Sequence, residues 1–188
     1  MDIEATDILG CYVLKARVLR DARGAFVKTF HEDRFAEIGL RTDWREEYFS
    51  TSAKHVIRGM HFQVPPQEHA KLVFCVHGRV LDVVLDLRQD SSTFGTARSV
   101  ELTPENGFGL YVPVGCAHGF LSLADDSVMY YKVTSVHSPE HDAGIAYDSF
   151  GFDWPVSEPI LSDRDRAHPS LAVFETPFLT DERDPCGH

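Results

Sequence analysis

The chain has 188 residues, 43% of them hydrophobic and 11% aromatic, with a formal net charge of -11. That length and apolar content are enough for an ordered core of single-domain size and exclude a disordered chain. The acidic surplus, with no block of Lys or Arg, excludes a nucleic-acid surface, which needs a concentrated basic stripe. An anionic small ligand is still compatible, because a few buried arginines hold a diphosphate inside an acidic protein.

Short β-like runs follow one another along the chain. CYVLKARVL (11–19) reads as a strand, DARG (21–24) as a turn and AFVKTF (25–30) as a second extended run. HEDRFAEIG (31–39) is the best helix candidate, with Phe35 and Ile38 at helical spacing and Gly39 as its stop. KLVFCV, HG and RVLDVVLDLR (71–88) predict a hairpin turning at His77-Gly78, with Leu81, Val83 and Leu85 on a buried face, alternating with Asp82, Val84 and Asp86. ARSVELT (97–103), FGLYVP (108–113), GFLSLA (119–124) and VMYYKVT (128–134) add strands separated by turns such as TPENG and ADDS. Many short strands without long helices predict an antiparallel sandwich or barrel. SFGFDWP and ILSDRDRAHPSL read as loops and short helical turns. One domain is therefore expected over 1–188, with 150–188 a C-terminal segment packed on the barrel.

None of Cys11, Cys75, Cys116 and Cys186 stands in a C-x-x-C pair, so no zinc or redox motif appears. Cys75, inside an apolar run, is expected to pack as a small hydrophobe. MDIEATDIL lacks the basic start and apolar stretch of a signal peptide, and no apolar run approaches membrane-spanning length. A cytoplasmic, reduced, soluble protein is the expectation, with no membrane or nucleic-acid partner.

Three constellations carry chemistry. Arg58-Gly59-x-His61-Phe62-Gln63, with Lys71 ten residues after His61, places Arg58, His61 and Lys71 on adjacent strands of a small barrel, facing one cavity. Pro-x-Gly-x-x-His in PVGCAHGF forms a turn that aims His118 inward. Tyr131 in YYK is a plausible proton donor, and Asp165 in LSDRDR, held against a histidine, would raise its basicity and fix its tautomer. Each has a plainer reading. A single histidine is more often structural than catalytic, the Asp-Arg repeat suits a solvated ion-pair network of little weight, and Tyr131 suits a half-buried strand aromatic. Their co-occurrence favours function.

The motif ending at His118 resembles the second motif of cupin barrels. Metal-binding cupins carry two histidines one residue apart in their first motif, with a glutamate shortly after; here Phe62 and Gln63 follow His61. His61 and His118 alone make an incomplete shell, so no metal is expected.

DARGAF, VIRGMHFQ, HAKLV, DVVLDLR, STFG, VPVGCAHGF, YYK, DWP and LSDRD together make the chain resemble the dTDP-4-dehydrorhamnose 3,5-epimerase family over about residues 7–171. The resemblance implies a mainly β, cupin-type double-stranded β-helix (jelly roll) with short peripheral helices. It also implies a homodimer that exchanges N-terminal strands and acts without a cofactor on a nucleotide-linked 4-keto-6-deoxyhexose. By the same resemblance His61 is the general base, Asp165 its partner, Lys71 the group that stabilises the enolate oxygen and Tyr131 the acid on the opposite face. His118 becomes a substrate contact, Arg23 and Arg58 hold the diphosphate and sugar, and Arg164 is a basic group near the sugar.

The chain departs from the family at Lys28, where glutamate is usual, and at Glu46 and Tyr48, where a Gln-x-Asn pair is usual. Asp142 replaces a further glutamate and His137 an aromatic residue. All are carried as substrate-contact positions except His137. The intact catalytic set with an altered periphery implies epimerisation at C3, C5 or both of a dTDP-, CDP- or GDP-linked sugar. The alternatives are a monoepimerase on a CDP- or GDP-linked 4-keto sugar, a metal-dependent cupin oxygenase, and a non-catalytic sugar-binding barrel.

Overall fold

A computed structural model describes residues 1–180 of the chain. Its elements begin with β1 (Asp2–Ala5), β2 (Tyr12–Lys15), β3 (Val18–Asp21) and β4 (Gly24–Val27), followed by the helical turn α1 (Glu32–Ala36). Then come β5 (Glu46–Ser52), β6 (Ile57–Gln63), β7 (Lys71–His77), β8 (Val80–Asp86), β9 (Ala97–Leu102) and β10 (Phe108–Val112). β11 (Cys116–Ser122), β12 (Ser127–Val133), β13 (Asp142–Gly144), α2 (Asp163–Arg166) and a 3₁₀ turn (Leu171–Val173) complete the order. The strands form a sheet in the order β1-β2-β10-β7-β12-β5, a second in the order β13-β6-β11-β8-β9, and a separate β3-β4 pair. This is the antiparallel sandwich that the strand pattern predicts, and the mainly β jelly roll with short peripheral helices that the family resemblance implies.

The two sheets face each other because both carry apolar residues at alternate positions. Val73, Cys75, Leu110 and Met129 from one meet Val80, Val84, Leu102 and Phe120 from the other, all buried. Each sheet is also covered on its outer face. Leu14, Leu72, Phe74 and Tyr111 pack under Phe35 and Leu40. Met60, Phe62, Val83 and Leu85 pack under the C-terminal segment through Phe152, Trp154, Leu171, Phe174 and Phe178. Residues 181–188, with Cys186, lie outside the described residues. No helix of the described chain is long and apolar enough to cross a membrane.

Four local expectations are corrected. The run 71–88 is not a hairpin: β7 pairs with β10 and β12, whereas β8 pairs with β9 and β11 in the other sheet. Both edges of β7 are already taken, so the chain crosses between sheets at Gly78, whose φ of +76° suits glycine. Nor does β8 have one buried face, since Asp82 and Asp86 are 0% exposed as well. The aspartates sit on the inner side and are satisfied by His118 and Arg88, while the outer side is roofed by the C-terminal segment. The run 11–19 splits into β2 and β3, because its partner β10 starts at Phe108 opposite Lys15 and the Ala16 amide turns to the Gly107 carbonyl. The expected helix is limited to Glu32–Ala36, where Phe35 is buried but Ile38 is 38% exposed.

Phe35 is fully buried among Phe30, Trp44 and Tyr111, with edge-to-face contacts of 5.0–6.5 Å between ring centroids. Truncation there leaves a cavity that one short helical turn cannot close. Phe35→Ala is expected to destabilise the protein by about 3–5 kcal/mol. A fall in the urea midpoint with an unchanged slope would show it.

Candidate active site

A cavity of about 340 Å³ opens between the two sheets, within the usual range for small-ligand sites. Its walls come from both sheets: Arg58 and His61 on β6, His118 on β11, Lys71 on β7, Tyr131 on β12 and Tyr48 on β5. Arg58, His61 and Lys71 therefore do line one cavity, though across the sandwich and not on adjacent strands as expected.

A bulge makes the β6 wall. Arg58 and His61 are three residues apart, so a regular strand would point them to opposite faces. The pairing with β11 slips here: His61 is opposite His118, but Arg58 is opposite Phe120. Three steps on β6 match two on β11, which turns both side chains into the cavity. Gly59, at φ +133°, makes this possible, since a Cβ there would come within 2.5 Å of the Gly119 Cα.

His61 and Asp165 meet at 2.6 Å between Nε2 and Oδ1 although 104 residues separate them. α2 delivers the carboxylate. Its N-cap Ser162 accepts a hydrogen bond from the Asp165 amide, and Asp165 is 4% exposed, so the solvated-network reading of SDRDR fails for this residue. Burial alone would raise the Asp165 pKa, but His168 and His61 beside it outweigh burial and hold the carboxyl well below the usual range. As a carboxylate it only accepts, so Nε2–H of His61 donates. That fixes the tautomer and leaves Nδ1 as the basic nitrogen. Burial also lowers the His61 pKa, against the pull of Asp165, so the ring is neutral at neutral pH.

Lys71 Nζ donates to the His61 carbonyl at 2.9 Å and is 5% exposed. Burial pushes its ammonium down to about 8, against the opposing charges of Asp142 and Asp82. His118 is on β11 and not within the turn, with Nε2 at 2.8 Å from buried Asp82. Tyr131 reaches the cavity from the sheet opposite His61, 6% exposed, and burial raises its phenol so that it stays protonated. Its ring stacks on Tyr48 at 4.8 Å and meets His118 edge-on at 6.0 Å. Burial, then the nearby Glu46, pushes the Tyr48 phenol up to about 12.

At the rim, Arg58 donates to Ser52 Oγ and to the Thr51 carbonyl, both at 3.0 Å. Arg164 pairs with Asp142 at 2.7 Å, and Glu46 accepts from the His137 amide at 2.8 Å. Arg58, Arg164, Asp142, Glu46 and His137 all line the cavity with the core set. Arg23 and Lys28 do not. Arg23 is at the exposed tip of the β3-β4 pair, bonded to Asp21, and Lys28 is exposed just beyond β4. That pair forms a two-stranded sheet of its own, so the fold of one chain leaves both residues away from the cavity.

Sequence reasoning missed three contributors. Asp82 anchors His118, and its signal was a carboxylate inside an otherwise apolar strand. His69, with its imidazole burial-depressed to about 3, lines the floor beside Gln63. His168 lies 3.5 Å from the Asp165 carboxylate and edge-on to His61 at 5.5 Å between centroids; its place three residues after Asp165, just past the end of α2, was the available clue.

Comparison with known proteins follows the same lines. The model of the family described as dTDP-4-dehydrorhamnose 3,5-epimerase matches residues 5–173. The dTDP-4-dehydrorhamnose 3,5-epimerase of Methanothermobacter thermautotrophicus is 39% identical over 166 residues, covering 86% of this chain and 89% of the relative. The Legionella pneumophila dTDP-6-deoxy-D-glucose-3,5-epimerase, solved with dTDP-4-keto-L-rhamnose, superposes with a TM-score of 0.87 at 35% identity, covering 93% of this chain and 94% of that one. A 3'-monoepimerase from Streptomyces bikiniensis, solved with dTDP-quinovose, gives 0.85 at 31% identity, covering 90% and 87%. With this coverage and identity, the chain belongs to the dTDP-4-dehydrorhamnose 3,5-epimerase family.

Proposed function

We propose that the protein is a carbohydrate epimerase that inverts C3 and C5 of a dTDP-linked 4-keto-6-deoxyhexose, and that the whole chain acts as one cupin-like domain. The observation that carries this is the His61–Asp165 pair on one wall of the cavity with Tyr131 on the other. Inversion needs a base on one face of a carbon and an acid on the other. The C4 ketone acidifies the protons on both flanking carbons. His61 Nδ1 takes the proton, the electron pair moves onto the C4 oxygen as an enolate, and Lys71 stabilises that charge. Tyr131 then returns a proton to the opposite face. Arg58, Arg164 and the rim groups Glu46, Tyr48 and Asp142 hold the sugar and diphosphate, with His118 a further sugar contact. The dTDP-sugar complexes of the relatives support a nucleotide-sugar substrate.

A homodimer accounts for Arg23 and Lys28. The β3-β4 pair exposes Leu19 at 46% and Phe26 at 61%, apolar surface that a second copy would cover. In a strand-exchanged dimer that hairpin extends over the neighbouring cavity and brings Arg23 to the diphosphate.

Incubation in D₂O with dTDP-, CDP- and GDP-linked 4-keto-6-deoxyhexoses, read by NMR, tests the reading. Deuterium at C3 and C5 with the dTDP sugar is expected. Uptake at one carbon only makes the protein a monoepimerase, and no uptake with any donor ends the epimerase reading.

The rate also has a defined pH window. His61 must be neutral to act as base, and its lowered pKa puts the acid limb below the ordinary 6.5. Lys71 must be charged, so the rate falls as pH rises through about 8. Lys71→Arg keeps the charge and should remove that alkaline limb; a limb unmoved in this variant would show that Lys71 does not set it.

A further inference from the structure

We propose that His61, Asp165 and His168 form a binding site for one divalent ion of the zinc class, and that its occupation switches the enzyme off. One donor atom from each residue lies within 4.8 Å of the others. With zinc bonds of about 2.0–2.2 Å, the edge of a tetrahedral shell is about 3.4 Å. His168 Nε2 and Asp165 Oδ1 already stand 3.5 Å apart. His61 Nε2 and the same oxygen, at 2.6 Å, have to open by only about 0.8 Å to reach that edge.

His168 stands beside Asp165 and helps hold its carboxyl charged, and its own geometry suits a further ligand. Its Nε2 is buried and makes no short hydrogen bond, the Asp165 carboxylate being 3.5 Å away. Such an atom calls for a ligand. Its ring is wedged against Gly144, where a Cβ would come within 2.4 Å of Nε2. Gly144 is the strand partner of His61 on β6, so the same close approach seats His168 beside the base. Two imidazoles and one carboxylate suit zinc, cobalt or nickel and not the oxygen-seeking magnesium or calcium.

Occupation disables the base without loss of any residue. A metal on Nε2 of His61 uses that lone pair, so the neutral ring carries its proton on Nδ1. Nδ1 is the atom that has to accept the substrate proton. The ring changes tautomer with no net change in protons, Asp165 moves from supporting the base to holding the ion, and exchange stops. The shell differs from the His61 and His118 pair of the cupin pattern, because His118 is engaged by Asp82.

Binding is read independently of activity, with tag-free protein and Co²⁺ as the spectroscopic probe. The wild type is expected to give visible ligand-field absorption saturating at one equivalent and bleached by Zn²⁺. His168→Asn and His168→Gln, checked for folding by circular dichroism, should weaken it at least roughly tenfold. In the D₂O assay, Zn²⁺ should stop exchange in the wild type and a chelator should restore it, while each variant, measured against its own metal-free exchange, should resist zinc. No absorption in the wild type, or equal Co²⁺ affinity in the variants, overturns the site. Binding that needs His168 but leaves exchange untouched by zinc overturns the switch. Because the switch rests on the proposed reaction, a protein that binds Co²⁺ in this way yet exchanges no donor keeps the site and loses the epimerase reading.

Discussion

His61→Ala is expected to lower deuterium exchange at both C3 and C5 by roughly 10²–10⁴-fold, the usual contribution of a positioned general base. Both carbons should fall together, because one imidazole with one basic nitrogen serves both and the substrate, not the enzyme, differs between the two steps. The fold should hold, since His61 is not among the buried apolar residues of any core cluster and its side chain is 26% exposed. What the substitution leaves is a buried Asp165 whose remaining neighbour, His168, lies at 3.5 Å. Binding of the dTDP sugar should survive, because Arg58 and Arg164 are untouched, so the loss belongs to the chemical step and not to affinity. Wild-type exchange at either carbon would remove His61 as the base. Loss at one carbon alone would mean a second base, and His69 is too low in pKa, at about 3, to be an effective one.

The sequence made some layers of this molecule readable and hid others, for physical reasons. Strand positions came through because apolar alternation is local, and the inward placement of His118 came through because Pro113 and Gly115 end one strand and start the next. The pairing of strands did not. Alternation in 71–88 is the same whether β7 and β8 lie side by side or in opposite sheets, and only the competition of β10, β12, β9 and β11 for their edges decides. Burial of Asp82 and Asp86 was invisible for a related reason: the roof over β8 comes from Phe174 and Phe178, nearly a hundred residues later. In the cavity, the pairing of His61 with Asp165 rested on the family resemblance, since no periodicity links positions 104 apart. The bulge that turns Arg58 to the side of His61 was written in Gly59 and Gly119, but only their meeting across two strands reveals it. Arg23 and Lys28 belong to a sequence motif, but in the fold of one chain they stand on and beside the separate β3-β4 pair, away from the cavity.

Tyr131→Phe separates two events that His61→Ala removes together. Proton removal requires the base and the enolate's counter-charge, and both His61 and Lys71 remain in this variant. Reprotonation from the opposite face requires the phenol, which phenylalanine lacks. Exchange of deuterium is therefore expected to persist within roughly tenfold, while net inversion falls by roughly 10²-fold or more, the enolate being returned a proton from the face it lost one. Few confounding structural effects are expected, because the ring keeps its stack on Tyr48 at 4.8 Å and its edge contact with His118 at 6.0 Å. Following the deuterium label and the product stereochemistry in the same sample gives both rates at once. Equal loss of exchange and inversion would place Tyr131 in the deprotonation step. Retained inversion would mean that water or another group in the cavity supplies the second face, and the opposed-wall geometry of His61 and Tyr131 would then have no catalytic meaning.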